Sequence, residues 1–335
     1  MDGLRIHGGR IDLAASLYPS APKPWIDLST GINPIPWPVP AVSPARYQRL
    51  PFAREIAEMT AAAAAAYGLP ANATMLPVPG SEIAIRLLPR MIGDGRVGIL
   101  APTYGSHASV WRAAGADVHE FAELPDPDRR DLKTLIVVNP NNPDGAIVSR
   151  ADLAAFARAM TSNGGRLIVD EAFADLRPEV SLLALPELPA GTIVLRSLGK
   201  FFGLAGLRVG FIIVTEPDAT AWRQLLGDWP VSGPACEIAT SALRDSDWIA
   251  ATRKRLATDR NRLDGVLGQA GLKLLGGTDL FGLFEASDRT DLLDHFARAG
   301  MLVRGFAGTS RHYRFGLPAD EAGWRRLEAA CAMLR

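Results

Sequence analysis

Four stretches of this chain place chemically capable residues directly after apolar runs. Leu167-Ile168-Val169 is followed by Asp170-Glu171, and carboxylates at the end of a buried strand are costly unless a cation or metal meets them. A protonated ring nitrogen would serve as that cation. Magnesium is the rival, as after the second conserved strand of nucleotide hydrolases, but the sequence has no glycine-rich loop ending in Lys-Ser or Lys-Thr. Ile193-Val194-Leu195 leads to Lys200, set between Gly199 and Phe201-Phe202-Gly203. Most lysines are solvated, yet one in an apolar niche loses its charge readily and becomes a nucleophile toward aldehydes. Arg208, eight residues on, places a second cation near the same spot. At Pro79-Gly80-Ser81-Glu82 a glycine turn opens a helix; its N–H groups and dipole suit a phosphate, although most Gly-Ser starts are simple caps. Finally, Asn139-Pro140-Asn141-Asn142-Pro143-Asp144-Gly145 follows an apolar run directly, which an ordinary surface loop does not explain.

The elements that must position these residues alternate. Apolar runs at Val97–Leu100, Leu135–Val138, Leu167–Val169, Ile193–Leu195 and Phe211–Val214 are expected as buried strands. Helices are expected at Phe52–Tyr67, Ser81–Met91, Ser106–Ala114 and Arg150–Thr161. Strands without polar alternation, separated by helices, predict an α/β fold with a mostly parallel sheet sandwiched by helices. Such sheets bind ligands beyond the carboxyl ends of their strands, where the four stretches fall. The C-terminal part reads as a smaller α+β domain: helices at Ala235–Arg244, Trp248–Gly268 and Asp320–Leu334, with strands near Gly282–Glu285, Met301–Arg304 and Tyr313–Gly316. The expected organisation is an arm and part of the small domain in 1–45, a large domain in 46–220 and a small domain in 221–335.

Composition narrows the function. The 36 basic and 36 acidic side chains cancel, and no basic stripe is present, which argues against nucleic acid. Arg129-Arg130 sits among Asp126, Asp128 and Asp131 and reads as a solvated loop. Two distant cysteines, Cys236 and Cys331, exclude a disulfide framework and a thiolate zinc site, so no metal is expected. The polar start Met1-Asp2-Gly3-Leu4-Arg5-Ile6-His7 is unlike a signal peptide, and no apolar run reaches membrane-spanning length. A cytoplasmic enzyme is the expectation, without a membrane partner.

Taken in order, the motifs resemble the fold type I pyridoxal-phosphate enzymes, the aspartate-aminotransferase superfamily, over nearly the whole chain. The resemblance implies pyridoxal 5'-phosphate as cofactor, with Lys200 the residue that joins its aldehyde and Asp170 paired with its pyridine nitrogen. It makes Asn142 a donor to the phenolic oxygen and Tyr104, in Pro102-Thr103-Tyr104-Gly105, the ring that stacks on the cofactor. Gly80, Ser81, the Glu82 N–H, Ser197 and Arg208 surround the phosphate, and Arg314 in Tyr313-Arg314-Phe315-Gly316 grips a substrate carboxylate. A homodimer is also implied, although Arg49-Leu50-Pro51 stands where many relatives carry Arg-Tyr-Pro; Tyr47 lies nearby.

Within the superfamily, His7-Gly8-Gly9 followed by Asp27-Leu28-Ser29-Thr30-Gly31-Ile32-Asn33-Pro34 resembles the threonine-phosphate decarboxylases of cobalamin synthesis. By that likeness His7 and Arg304 hold a substrate phosphate, and Gly31 and Asn33 lie close to the cofactor, with Asn142 also facing the substrate. Phe173 replaces the tyrosine that aminotransferases usually carry three residues after the aspartate. The implied reaction is decarboxylation of L-threonine O-3-phosphate to (R)-1-amino-2-propanol O-2-phosphate. A tight arginine–carboxylate pair would hinder that reaction unless it also fixes the breaking bond perpendicular to the ring. The nearest alternative is a histidinol-phosphate aminotransferase; an alternative from another class is a binding protein that kept the fold without catalysis.

Overall fold

A computed structural model of the chain describes residues 2–93, 95–127, 129–286, 291–306 and 309–334. Asp128 of the Arg129-Arg130 loop, and Ala307 and Gly308 between Arg304 and Arg314, lie outside them. The chain divides into two compact units, residues 37–247 and residues 1–36 with 248–335. The N-terminal segment carries regular structure of its own. It forms a 3-10 turn at Asp2–Arg5, helix α1 (Ile11–Leu17) and strand β1 (Ile26–Asp27).

The 37–247 unit begins with α2 (Ala45–Gln48) and α3 (Ala53–Tyr67). Alanine favours α3; the Glu55 carboxylate accepts the Phe52 N–H at 2.9 Å at its start, and Gly68 ends it at φ 73°. Then come β2 (Ala73–Val78), α4 (Ser81–Ile92), β3 (Arg96–Leu100), α5 (Gly105–Ala113), β4 (Asp117–Phe121) and β5 (Leu132–Val138). They are followed by α6 (Arg150–Ser162), β6 (Arg166–Asp170), β7 (Thr192–Ser197), β8 (Gly210–Thr215), α7 (Asp218–Leu226) and α8 (Gly233–Arg244). Each strand expected from the sequence is present. Helix α8 packs along α3, and residues up to 247 belong to this unit, whereas the sequence drew its boundaries at 45 and 220.

The seven strands form one sheet in the order β2-β8-β7-β6-β5-β3-β4. Only the β2–β8 and β8–β7 pairs are antiparallel. Val78, Val97, Ile136, Ile168, Leu195 and Ile212 are at least nine-tenths buried, together with Trp111 and Trp222 from the covering helices. Register then decides where the chemistry falls. Val138 pairs with Asp170, Asp170 with Leu195, Ser197 with Gly210, and Gly210 with Val78. The four stretches singled out in the sequence therefore emerge from a single sheet edge.

That edge is fastened by charge. Arg196 is 3% exposed and bonds Glu171 at 3.2 Å and Asp175 at 3.1 Å, with its guanidinium carbon 4.0 Å from the Tyr67 ring centre. Glu171 also accepts from the Ser181 hydroxyl and from the Leu182 N–H at 2.8 Å. Burial pushes the Glu171 carboxyl above the usual range, opposed by Arg196 and the donors. Of the carboxylate pair in the sequence, Glu171 is thus the structural member.

The other unit continues with α9 (Ser246–Gln269), β9 (Lys273–Thr278), β10 (Phe281–Glu285), α10 (Leu292–Arg298), β11 (Met301–Leu302), β12 (Arg304–Phe306), β13 (Thr309–Gly316) and α11 (Glu321–Ala332). Its antiparallel sheet runs β12-β13-β10-β9, and β1 pairs in parallel with β11. Residues 1–36 are thereby woven into this unit.

Removing one member of a buried ion pair leaves its partner unmatched, which costs about 3–5 kcal/mol. Glu171→Ala is expected to lower unfolding stability by that amount. Urea denaturation monitored by tryptophan fluorescence checks it; a loss below about 1 kcal/mol would show the cluster to be incidental.

Candidate active site

The carboxyl end of β6 delivers Asp170, which is 3% exposed. Its Oδ1 accepts the Ala172 N–H at 3.0 Å, and its Oδ2 lies 3.0 Å from Nε2 of His107. His107 is fully buried on α5, and its Nδ1 has no hydrogen-bond partner among the described residues. A carboxylate can only accept, so the ring proton belongs on Nε2. The sequence reading missed His107. Its signal was the spacing from Tyr104, one helical turn earlier, but a histidine on an apolar helix face looks like any core residue.

Tyr104 caps α5, and its hydroxyl donates to the Glu82 carboxylate at 3.1 Å. Burial pushes the Tyr104 phenol above its ordinary pKa. Glu82 also accepts from Ser106 at 3.2 Å and pairs with Arg86 at 2.8 Å. Its side chain therefore fixes the tyrosine, a role separate from that expected of its N–H.

In the Asn-Pro turn, Asn139 exchanges two hydrogen bonds with the backbone of Val148, at 3.1 and 3.0 Å. Asn141 accepts from Thr103 at 2.6 Å and donates to the Pro102 carbonyl at 2.9 Å. These two asparagines tie the turn to itself and to the Tyr104 loop, which explains their density. Asn142 is half-buried on the same turn.

On the other side of Asp170, Ser197 ends β7, and its hydroxyl accepts the Gly199 N–H at 3.2 Å. Lys200 follows, half-buried, with Nζ 5.9 Å from the Phe173 ring centre. Arg208 adopts the left-handed conformation at φ 54° and donates to the Ala205 carbonyl at 3.2 Å. Its guanidinium lies against Gly80, which has φ 83°: a Cβ there would sit 2.5 Å from Nη2. A Cβ on Gly210 would sit 2.6 Å from the Ser81 nitrogen. Two bare glycines thus bring the Arg208 cation and the Ser81 N–H at the start of α4 close to the same strand end, and the unsatisfied N–H groups of a helix start make it a candidate anion seat. These groups fit a phosphate with an attached protonated ring: the seat would take the anion, Asp170 the ring cation, and Lys200 an aldehyde.

The remaining candidates lie in the other unit. Arg304 and Arg314 face each other directly in the β12–β13 register, and like charges placed opposite are destabilising unless an anion joins them. Arg314 is 6% exposed, donates to the Ser29 carbonyl at 2.7 Å and lies 4.8 Å from the Phe281 ring centre. Burial, with Arg304 adding repulsion and Asp27 opposing it, pulls its pKa down to about 9. Arg304 donates to the Ile6 carbonyl at 2.8 Å, next to the exposed His7. Gly31 is buried. Asn33 is 2% exposed, and its oxygen accepts from Arg255 at 2.7 Å and from the Ile35 N–H at 3.1 Å. Arg255 had no signal in the sequence because it sits 222 residues from Asn33.

Comparison with known proteins is consistent with these clusters. The family described as aminotransferase class I and II matches residues 45–299. A threonine-phosphate decarboxylase from Pseudomonas aeruginosa is 44% identical over 325 residues, covering 97% of this chain and 96% of that protein. A second, from Sinorhizobium sp, is 43% identical, covering 98% of each. Among solved structures, the histidinol-phosphate aminotransferase from Sinorhizobium meliloti in complex with pyridoxal-5'-phosphate superposes with a TM-score of 0.77 at 19% identity, covering 96% of this chain and 94% of that one.

An anion held by Arg314 needs its charged form, which prevails below about pH 9 and is lost above it. In cofactor-loaded protein, a simple carboxylate such as propionate is expected to bind with steady affinity from pH 7.5 to 9, then to weaken toward tenfold per pH unit. Calorimetric titration checks this; unchanged affinity at pH 10.5 would remove Arg314 from the anion site.

Proposed function

Since this chain belongs to the class I and II aminotransferase family, we propose that it is a pyridoxal-phosphate enzyme that decarboxylates L-threonine O-3-phosphate to (R)-1-amino-2-propanol O-2-phosphate. The observation that carries the reading is the pair of arginines opposed on β12 and β13, in a chain 44% identical to a threonine-phosphate decarboxylase over nearly its whole length. Two cations in register suit a substrate bearing both a phosphate and a carboxylate. The product is the amine phosphate of the cobalamin nucleotide-loop linker.

Pyridoxal 5'-phosphate, when bound, supplies an electron sink for the charge left at Cα. Ser81, Ser197, Arg208 and the Gly80–Glu82 backbone would hold its phosphate, and Lys200 its aldehyde. Asp170 keeps a proton on the ring nitrogen, and the His107 N–H keeps that carboxylate oriented. Tyr104 would pack on the ring, and Asn142 would donate to the phenolic oxygen. Arg314 orients the carboxylate, while Arg304 and His7 hold the substrate phosphate, and Gly31 and Asn33 would lie close to the cofactor. The Cα–carboxylate bond breaks, carbon dioxide leaves, and Lys200 Nζ returns a proton to Cα.

Phe173 bears on the lysine. Lacking the phenol of aminotransferases, it offers the cofactor's phenolic oxygen no hydrogen bond. Phe173→Tyr restores one, favouring the deprotonated form. A hydrogen bond to a charged group is worth about 1.5–3 kcal/mol, so the visible spectrum of the bound cofactor is expected to titrate roughly 1–2 pH units lower. An unmoved midpoint would contradict this role.

We also propose a cytoplasmic homodimer. Among the described residues no helix is long and apolar enough to cross a membrane. Tyr47, Leu50, Phe52 and Trp229 are 69%, 59%, 48% and 55% exposed, and the last three line a groove of about 600 Å³. Exposed apolar groups so concentrated fit an interface. Light scattering at micromolar concentration checks it, and a monomer would refute it.

The catalytic test is direct. Protein supplied with the cofactor and L-threonine O-3-phosphate is expected to release carbon dioxide without forming a keto acid. Lys200→Ala should lose turnover and the borohydride-reducible visible band. Transfer from histidinol phosphate to 2-oxoglutarate, with no carbon dioxide release, would overturn the reading.

A further inference from the structure

The 3-10 turn at Asp2–Arg5 is too short to hold a position by itself, since a single turn fixes several dihedrals for little hydrogen bonding. Chain ends are ordered only where they are tied down. This one is tied at several points on either side of His7. Before it, Leu4 is 1% exposed, and Arg5 Nη2 donates to both oxygens of Asp291 at 2.9 Å. After it, the Gly9 N–H donates to the Ser29 hydroxyl at 2.8 Å, and that hydroxyl donates to Asp27 at 2.6 Å.

Asp291 lies 286 residues from Arg5 and is set in place independently of it. It caps α10 by accepting the Leu293 N–H at 3.1 Å, and it accepts the Tyr313 hydroxyl at 3.3 Å. Tyr313 pairs across the sheet with Gly305, and one residue along Arg304 pairs with Arg314. Gly305 leaves the space that Arg5 occupies: a Cβ there would come 2.9 Å from Arg5 Nη1. Both arginines of the anion pair also hold this part of the chain. Arg304 donates to the carbonyl of Ile6, the residue between Arg5 and His7, and Arg314 donates to the carbonyl of Ser29, whose hydroxyl receives Gly9.

We propose that Arg5 and Asp291 are positioning residues: their ion pair clamps the N-terminal strap so that His7 and the Ile6 carbonyl are set for a substrate phosphate. Neither touches the reacting atoms. They act through the strap, on His7 by chain connection and on Arg304 through the Ile6 hydrogen bond. Releasing the clamp reduces the fraction of molecules with the strap closed, and apparent affinity falls by that fraction. The inference rests on the phosphate-site reading of His7 and Arg304.

The experiment uses the cofactor-loaded protein and compares wild type with Arg5→Ala, Arg5→Lys and Gly305→Val. Arg5→Ala is expected to raise KM for L-threonine O-3-phosphate roughly three- to tenfold while kcat changes much less. Affinity for unphosphorylated L-threonine, followed by the cofactor spectrum, should stay the same, so that discrimination for the phosphate falls. Arg5→Lys should recover part of the loss. Gly305→Val, which displaces Arg5 without altering either charge, should raise KM similarly and add nothing in the Arg5→Ala background. Amide exchange of residues 2–9 should quicken in Arg5→Ala, a readout independent of turnover. Unchanged exchange would overturn the clamp; quickened exchange with unchanged KM would overturn its role in binding. Absence of decarboxylation by wild type would instead take down the functional reading, while amide exchange still decides the clamp.

Discussion

A carboxylate at the end of a buried parallel strand dominates the 37–247 unit. Asp170 and Glu171 are consecutive, both are almost wholly buried, and an apolar sheet edge tolerates neither charge unmatched. The chain meets the two differently. Glu171 receives a full cation from within, Arg196, together with two further donors. Asp170 receives an imidazole N–H and one backbone N–H, which orient it without supplying a compensating charge. One carboxylate fastens the edge, and the other, in the proposed function, would meet a cation brought by a ligand. The same physical penalty thus yields a structural site and a candidate functional site side by side.

The seat for the ligand's anion obeys a related constraint. Backbone N–H groups at the start of α4 approach β8 closely only because Gly210 has no side chain, and Arg208 reaches the same place only because Gly80 has none. The register of β2, β8 and β7 brings these contributions together from segments far apart in sequence. Packing of the sheet core therefore decides the geometry of the phosphate seat and of Lys200 together.

Much of this was readable in the sequence because buried parallel strands lack polar alternation, so their carboxyl ends, and the residues after them, can be located. Asp170, Lys200 and the Gly80 turn were found that way. Strands that break the pattern were not: β4, Asp-Val-His-Glu-Phe, lies at the sheet edge with mixed exposure, and β2 carries a proline. His107 was hidden because its place on the buried face of α5 gives it the same apolar sequence surround as a core residue. Glu82 had a second role that only its side-chain direction reveals. Arg5 and Asp291 are joined by folding alone; 286 residues of intervening chain leave no local signature. The weaving of residues 1–36 into the C-terminal unit has the same origin, since β1 pairs with β11 rather than with any sequence neighbour.

The opposed arginines carry the last step. A guanidinium nine-tenths buried and facing another is held in its charged form against both burial and repulsion, and its lowered pKa records that opposition. An anion placed between them relieves it. In the proposed reaction the substrate arrives with a carboxylate and a phosphate, and the chemistry removes only the carboxylate. Arg314 then faces a product that no longer carries its partner, while Arg304 still holds the phosphate. Binding is therefore weaker after the reaction than before it, by the interaction that oriented the lost group. A strained cation pair in this position favours substrate over product, and the release of carbon dioxide itself loosens the hold on what remains.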